Sequence, residues 1–205
     1  MIVKRTTTRT FGPADHGRRM SLEQFLAGPW QEGYRYELID GRVYASPQAN
    51  EPHDYLVDWL SDVLHDYKRD HPDVIQRVSS HARVFVPGRR ATTCPEPDFV
   101  AYDRYPDHVP RRRRRWQDMS PVLVVEIPSG DLAKDFERNV ELYEQVPSIR
   151  EYWIVFDGAT DDRSFFRVYR KRGSKWLKPF DLKFGDTYTT PLLPGFSLLI
   201  NPDAP

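Results

Sequence analysis

The sequence predicts an α/β or α+β fold, in which helices flank a mixed β-sheet. Two amphipathic segments, at 51–69 and 131–146, have helical spacing and alternate with short apolar runs typical of strands. The run VLVVEI at 122–127 is apolar on both faces, as expected for a central strand. An Asp-Gly pair at 40–41 separates two β-rich runs and is a strong hairpin signal. Strands mixed with two principal helices favour a layered fold with a mixed sheet.

The first predicted element is a short helix that begins after Ser21. Ser21 is a candidate N-cap, Gln24 stands where it completes a capping box, and Gly28-Pro29 ends this short helix. The hairpin around 40–41 follows. The next helix, at 51–69, carries an apolar stripe that should pack on the core, formed by Leu56, Leu60, Val63, Leu64 and Tyr67.

The middle and the end of the chain predict further strands. Residues 74–88 indicate two strands, and the runs PDFVAYD and VLVVEI indicate another pair. The second helix precedes the apolar strand EYWIVFD. A hairpin with a Gly-Ser turn at 173–174 and a final segment ending in GFSLLI add strands beside the main sheet. The apolar face of the second helix is predicted to consist of Leu132, Phe136, Val140 and Tyr143.

The chain of 205 residues is expected to form one domain, since it contains no internal repeat and no dividing linker. We predict a loose segment at 1–20, a single domain at 21–200 and a short tail at 201–205. No apolar run has the length of a membrane span or the position of a signal-peptide core. We therefore expect a cytoplasmic protein without a membrane partner.

The charge balance and the cysteine content exclude several classes of site. The chain has 30 basic and 30 acidic residues and a formal net charge of zero, so any site for a polyanion must be local. Cys94 is the only cysteine, which excludes an internal disulfide and a zinc-finger framework.

Two carboxylates stand where the pattern predicts buried strands. Asp98 precedes the apolar run Phe99–Ala101, and Glu126 ends the run 122–125. If the two strands are antiparallel neighbours, the start of one lies beside the end of the other and the carboxylates converge. Mg2+ and Mn2+ favour such oxygen ligands. The alternative is that Asp98 caps a turn and Glu126 pairs with an arginine.

Several motifs together resemble the Uma family of restriction-endonuclease-like proteins, within the PD-(D/E)xK nuclease superfamily. They are YELIDGRV, the Pro-His pair in EPHDYL, PEPDFVAYD, VLVVEIPS, ELY and PSIREYWIVFD, and the resemblance runs from about Ser21 to LPGFSLLI. It implies a restriction-endonuclease-like mixed sheet flanked by helices. It also implies that Asp98 and Glu126 bind the metal, with Glu37 and His53 completing the acidic pocket.

The residues themselves leave other roles open for Glu37 and His53. His53 shares the inward stripe of its helix with Leu56 and Leu60, and a histidine there is often a satisfied core residue. Glu37 alternates with its apolar neighbours on a strand, and an ordinary cross-strand salt bridge would explain it equally well.

One departure from the superfamily pattern concerns a lysine. The superfamily usually has a lysine two residues after the strand glutamate, where this chain has Pro128. The Uma family often supplies it from the next helix, where this chain has Asn139. The neighbouring cations Arg138 and Lys134 could replace it, although arginine is effectively always charged and is a poor base. A weakened or inactive nuclease is therefore an open alternative.

The run Arg111–Arg115, followed by Trp116, is the clearest local charge feature. It lies in the segment between the strands that carry Asp98 and Glu126, and we expect it to be anchored near the pocket. The residues Arg111, Arg112, Arg113, Arg114 and Arg115 could neutralise phosphates of DNA, and Trp116 could stack on an unpaired base. The alternative is a solvated loop with Trp116 packed onto the core.

The sequence and the resemblance together favour a metal-dependent endonuclease that hydrolyses DNA with Mg2+ or Mn2+. A homodimer would suit cleavage of both strands of a duplex. Two other classes stay open. One is a binding or interaction module that keeps the fold without the chemistry, and the other is a glycosidase that uses the two acids without a metal.

Overall fold

The computed structural model describes residues 9–158 and 163–203. It contains three α-helices and eleven β-strands within those ranges. The helices are α1 (Leu22–Ala27), α2 (Glu51–Asp70) and α3 (Asn139–Glu144), and a π-helical segment (Lys134–Arg138) leads directly into α3. No helix in this part of the chain has the length and apolarity needed to cross a membrane.

Seven strands form one mixed sheet. The strands are β3 (Arg77–Ser80), β4 (Phe99–Tyr102), β5 (Leu123–Glu126), β6 (Glu151–Phe156), β7 (Phe165–Arg172), β8 (Lys175–Trp176) and β9 (Phe180–Lys183). Their order in the sheet is β3-β4-β5-β6-β7-β8, with β9 also paired to β7. Neighbours are antiparallel except β5 and β6, which are parallel. The predicted mixed sheet is confirmed.

Two hairpins stand beside this sheet. They are β1 (Tyr34–Ile39) with β2 (Arg42–Pro47), and β10 (Thr187–Thr189) with β11 (Ser197–Leu199). The turn between β1 and β2 has positive φ at both Asp40 (50°) and Gly41 (68°), which a two-residue hairpin turn of the mirror-image type requires. The predicted Asp-Gly hairpin is therefore confirmed.

The central strands bury both of their faces, because successive side chains alternate across the sheet. Phe99 and Val125 belong to the core shared with α2, whereas Val100 and Val124 belong to the core shared with α3. Glu126 is two residues after Val124, so both side chains lie on the same face of the sheet. The sheet therefore directs Glu126 towards the helix that follows it.

Three sequence predictions differ from the structure. In the region 74–88 only β3 is a strand; Val84 and Val86 make main-chain hydrogen bonds to Pro95 and Thr93 without forming a second one. The predicted helix at 131–146 is present as one continuous helical stretch over residues 132–144, but its part Lys134–Arg138 is π-helical instead of α-helical. Leu132, assigned to its apolar face, lies in the first turn of this stretch and is 43% exposed.

The terminal segments are also more ordered than expected. Residues 1–8 and 204–205 lie outside the described residues, but 9–20 pack on the first hairpin. Phe11 pairs with Trp30, Val43 exchanges main-chain hydrogen bonds with residues 17 and 18, and Met20 lies in a small core with Phe25. In the predicted tail, Pro202 is buried and its carbonyl accepts a hydrogen bond from Tyr55.

Candidate active site

The two carboxylates singled out in the sequence lie at one end of the central strands. β4 and β5 pair antiparallel, with Phe99 opposite Val125. Asp98, directly before β4, therefore lies beside Glu126 at the end of β5. Both side chains line one cavity and are almost fully buried. The convergence expected from the sequence is present in the structure.

Asp98 is surrounded by donors. Its Oδ1 accepts a hydrogen bond from Arg35 at 2.5 Å and from His53 Nε2 at 3.2 Å, and its Oδ2 accepts one from the main-chain N–H of Ile127 at 2.8 Å. Burial raises the pKa of this carboxyl group, but the His53 hydrogen bond and the Arg35 charge outweigh burial and lower the pKa to about 2. Asp98 is therefore ionised at neutral pH.

Glu126 has a different environment. Its Oε1 accepts two hydrogen bonds of 2.8 Å, from Asn139 Nδ2 and from the Tyr143 hydroxyl. Burial raises its pKa well above the usual range, and the nearby carboxylates of Asp135 and Asp98 raise it further against the opposing charge of Lys134. Both of these donors to Glu126 are neutral groups, whereas Asp98 accepts a hydrogen bond from the charged guanidinium of Arg35.

The two carboxylates keep free acceptor positions. A carboxylate offers about four lone-pair positions, two on each oxygen. Three positions of Asp98 are used, which leaves one on Oδ2. Both positions on Glu126 Oε1 are used, but Oε2 accepts no hydrogen bond from any described residue. Asp98 Oδ2 and Glu126 Oε2 are thus the atoms available to a ligand.

Glu37 is engaged with the protein instead. Its Oε1 accepts a hydrogen bond from the Glu96 main-chain N–H at 3.0 Å, and its Oε2 accepts one from Arg138 at 2.5 Å. Burial raises the pKa of Glu37, but the charges of Lys134 and Arg138 and the Glu96 hydrogen bond lower it overall. The salt bridge considered from the sequence is therefore present, although its partner lies on the π-helical segment rather than on the neighbouring strand.

The π-helical segment supplies two cations of the site, Lys134 and Arg138. An N–H of Asn139 bonds to the carbonyl of Lys134, five residues earlier, which inserts one extra residue into the helix. Lys134 Nζ lies 3.8 Å from both Glu37 Oε1 and Asp135 Oδ1. Burial raises the pKa of Asp135 to about 6, with help from Asp98 and Glu37 and against the charge of Lys134. The segment therefore places a lysine and a carboxyl group with an elevated pKa side by side.

Asn139 occupies a fully buried position behind the cavity. Its amide nitrogen donates to Glu126 Oε1 and, at 3.1 Å, to Asp135 Oδ1, and its own oxygen accepts from Arg138 Nε at 3.2 Å. Sequence reasoning expected position 139 to face the pocket. The structure places Asn139 in contact with Glu126 instead, and the cations that line the cavity are Lys134, Arg138 and Arg35.

His53 lies at the start of α2 and points inward, as predicted. Nε2 donates to Asp98, and Nδ1 lies 3.3 Å from Asp54 Oδ1. Burial lowers the pKa of His53, but its contacts with these two carboxylates raise it overall. His53 is therefore suited to orienting Asp98 rather than to binding a metal directly.

The cavity has a volume of about 340 Å³ and opens beside the first hairpin. Its walls come from β1, β2, α2, the ends of β4 and β5, and the π-helical segment. Glu37 and Asn139 stand behind these walls. The ionisable side chains that line the cavity are His16, Arg35, Tyr44, His53, Asp98, Glu126, Asp131, Lys134, Asp135 and Arg138.

A divalent cation fits this arrangement within limits. In the described part of the chain, no three His, Cys, Asp or Glu side chains are arranged to hold a metal ion, so the four-residue set of Asp98, Glu126, Glu37 and His53 is not assembled. Mg2+ is commonly held by one or two carboxylates, with water and substrate phosphate completing its shell. Asp98 and Glu126 meet that requirement, and the raised pKa of Glu126 reflects negative charge that a cation would balance.

The comparisons agree with this architecture. The family described as "Uma2: Putative restriction endonuclease" matches residues 22–201. The chain belongs to the Uma2 family. A solved structure from Anabaena variabilis ATCC 29413, described as "a putative nuclease belonging to DUF820", is similar with a TM-score of 0.66 and 16% identity, over 88% of this chain and 95% of that one. No curated protein matches. The likeness to the solved structure shows that the two chains share this fold.

The position predicted for the arginine run in this Uma2 protein is wrong. The segment from Arg111 to Trp116 lies in the connection between the end of β4 and the start of β5. This connection is at the end of the antiparallel pair opposite to Asp98 and Glu126. A connection between antiparallel neighbours necessarily leaves from that end. Trp116 is half-buried and packs against the core on the α3 side, as the alternative interpretation held.

Sequence reasoning did not find two groups of this Uma2 site. Arg35, the partner of Asp98, lies two residues before Glu37 on the same strand, and strand periodicity places both on one face. The apolar pattern predicts that Tyr143 packs in the core, but its hydroxyl also donates a hydrogen bond to Glu126. Its spacing of four residues after Asn139 puts both donors on one side of α3, and that spacing was a usable signal.

Proposed function

We propose that this Uma2 protein is a metal-dependent endonuclease that hydrolyses phosphodiester bonds of DNA and uses Mg2+ or Mn2+. The observation that supports it most directly is the meeting of Asp98 and Glu126, each with a free oxygen, in a cavity that also contains Lys134. The family match supports the same class of activity.

The protein's own residues have distinct roles in this proposal. Asp98 Oδ2 and Glu126 Oε2 would hold the cation, which when bound would polarise the phosphate and lower the pKa of a bound water. Arg35 and His53 keep Asp98 ionised and oriented. Asn139 and Tyr143 fix Glu126 through Oε1.

Lys134 takes the role of the missing superfamily lysine. It lines the cavity, and although burial lowers its pKa, the charges of Glu126 and Glu37 raise the pKa overall, so the ammonium group keeps its proton. A fixed positive charge beside the scissile phosphate stabilises the transition state electrostatically. Arg138 is held by Glu37 and lies over the Tyr44 ring at 5.2 Å, so it supports this wall of the cavity.

The test combines calorimetry with cleavage. Isothermal titration should show Mg2+ or Mn2+ binding that Asp98→Asn and Glu126→Gln each abolish, while Asp181→Asn, at an exposed ion pair with Arg167, keeps it. Lys134→Met should keep metal binding and slow cleavage of plasmid DNA at least about ten-fold, which corresponds to about 1.4 kcal/mol of barrier. Unchanged metal binding in both carboxylate variants would refute the site.

The binding module is the second candidate. It is favoured by Pro128 at the usual lysine position and by the engagement of both Glu37 oxygens with protein donors, Arg138 and the Glu96 main-chain N–H. Its signature is nucleic-acid affinity without turnover. If wild type binds DNA but cleaves no DNA or RNA with Mg2+ or Mn2+, this second reading replaces the endonuclease.

A further inference from the structure

We propose that a second cavity, at the other end of β4 and β5, binds a nucleotide unit, with its phosphate on arginines and its base on an apolar floor. This groove has a volume of about 800 Å³, within the range of sites for small ligands. Its lining includes four arginines and no acidic side chain; they are Arg77, Arg111, Arg114 and Arg115. In a chain of zero net charge, this is a strong local concentration of positive charge.

Two of the four arginines of the groove are fixed by contacts with the protein. Arg77 and Arg114 stack on Tyr105, with guanidinium carbons 5.4 and 5.3 Å from the ring centre. Arg114 is also fixed by hydrogen bonds to the carbonyls of Asp107 and Val109, at 3.0 and 2.8 Å. These two guanidinium groups are therefore held in place before any ligand arrives.

The other two arginines are available to a phosphate. Arg111 makes no ion pair or hydrogen bond through its side chain with any described residue. Arg115 pairs with Asp118 through two bonds of 2.9 and 3.0 Å, but the two side chains are 65% and 49% exposed. Exposed pairs of this kind contribute little free energy, so a phosphate can replace Asp118 as the partner of Arg115.

The floor of the groove is apolar and partly aromatic. Trp116 and Met119 pack on the core beneath it, and Leu26, which is 51% exposed, forms one side. A guanidinium rim beside an aromatic floor suits a ligand that has both a phosphate and a flat base. A simple anion would leave the floor uncovered, and a peptide of acidic residues alone would supply no flat group.

The groove lies apart from the acidic cavity. The two occupy opposite ends of β4, whose four residues span roughly 13 Å at the usual rise per residue. Binding in the groove therefore requires neither the metal nor the chemistry of the proposed nuclease. The nucleotide unit can belong to a single strand or be free in solution, and the experiment separates these sources.

The arginine run provides a matched control. Arg112 and Arg113 are exposed members of the same run but do not line the groove. Affinity for a labelled oligothymidylate is measured by fluorescence anisotropy in EDTA, so that cleavage and metal binding play no part. The double variant Arg111→Ser/Arg115→Ser should lose at least about ten-fold in affinity. Its salt dependence should flatten by about 1.4 in the log-log slope, at roughly 0.7 for each lost phosphate contact on a single strand.

The control and the competitors decide between the outcomes. Arg112→Ser/Arg113→Ser should stay within about three-fold of wild type, and Trp116→Phe should abolish the tryptophan quenching that binding causes. Competition by free AMP supports a site for free nucleotides, and its absence supports a site for a strand. Equal losses in the two double variants, no loss in either, or equal competition by polyglutamate would each overturn the groove as a nucleotide site.

Discussion

Replacing Asp98 and replacing Glu126 by their amides should change stability in opposite directions, although each removes one buried carboxylate from the same cavity. In EDTA at pH 7, Asp98→Asn should lower the free energy of unfolding. The pKa of Asp98 is about 2 in the folded protein against an ordinary 3.8, which is worth about 2 kcal/mol at 1.36 kcal/mol per pH unit.

The contribution of each carboxyl group to the free energy of unfolding depends on pH. Because folding lowers the pKa of Asp98, its contribution is fully present above pH 3.8 and disappears as the pH falls towards 2. Glu126 behaves in the opposite sense. Burial and neighbouring carboxylates raise its pKa, so its ionisation opposes folding increasingly as the pH rises above 4.5. Glu126→Gln should therefore stabilise the metal-free protein at pH 8 and have little effect at pH 4.

Urea denaturation followed by tryptophan fluorescence measures both changes as shifts of the midpoint at constant slope. Glu151→Gln is the control, because Glu151 is a buried glutamate whose two oxygens both accept hydrogen bonds from the protein. Its oxygens accept hydrogen bonds from Trp153, Arg170, Tyr188 and Thr190, so the amide should destabilise. A neutral or stabilising Asp98→Asn, or a destabilising Glu126→Gln at pH 8, would refute this account of the charges.

Two further predictions concern the fold. Gly41→Ala should cost more stability than Gly173→Ala in urea titrations. Both glycines have positive φ, so a side chain at either position costs roughly 1–2 kcal/mol of strain. Of the two, only Gly41 is also crowded, because an added Cβ would lie 3.0 Å from Ala91 Cβ. Lys171→Met should destabilise by about 2 kcal/mol, because Nζ donates to the carbonyls of Tyr143, Glu144 and Val146 at the end of α3. Lys175→Met, which breaks an exposed pair with Glu144, should cost less than about 1 kcal/mol, and equal losses for the two lysines would contradict the capping role.

Local patterns predicted the features that depend on local chemistry. The turn at Asp40-Gly41 follows from two positive φ values that this pair tolerates, and the capping box joins Ser21 and Gln24 in both directions. The meeting of Asp98 with Glu126 followed from one assumption, that their strands are antiparallel neighbours. If these strands are antiparallel neighbours, the loop that connects them lies at the end opposite to Asp98 and Glu126. The sequence therefore already contained the argument against an arginine run near the pocket.

Other features depend on contacts between distant parts of the chain. The pairing of Arg35 with Asp98 and of Arg138 with Glu37 requires the first hairpin to pack against the end of the main sheet, which no local pattern encodes. Residues 9–20 lack a strong periodicity and were expected to be loose. They are held by main-chain hydrogen bonds to the hairpin, for which the side-chain pattern gives no signal.

The π-helical segment makes the length of this helix as important as its composition. One residue rotates an α-helix by about 100°, so adding or removing a residue normally turns everything that follows. Here the extra residue lets Lys134, before it, reach the cavity while Asn139 and Tyr143, after it, reach Glu126. Glu137 is exposed, so its side chain can be changed without disturbing either group. Deletion of this residue would instead rotate Lys134 relative to Asn139 and Tyr143, and the two groups would no longer face the same cavity.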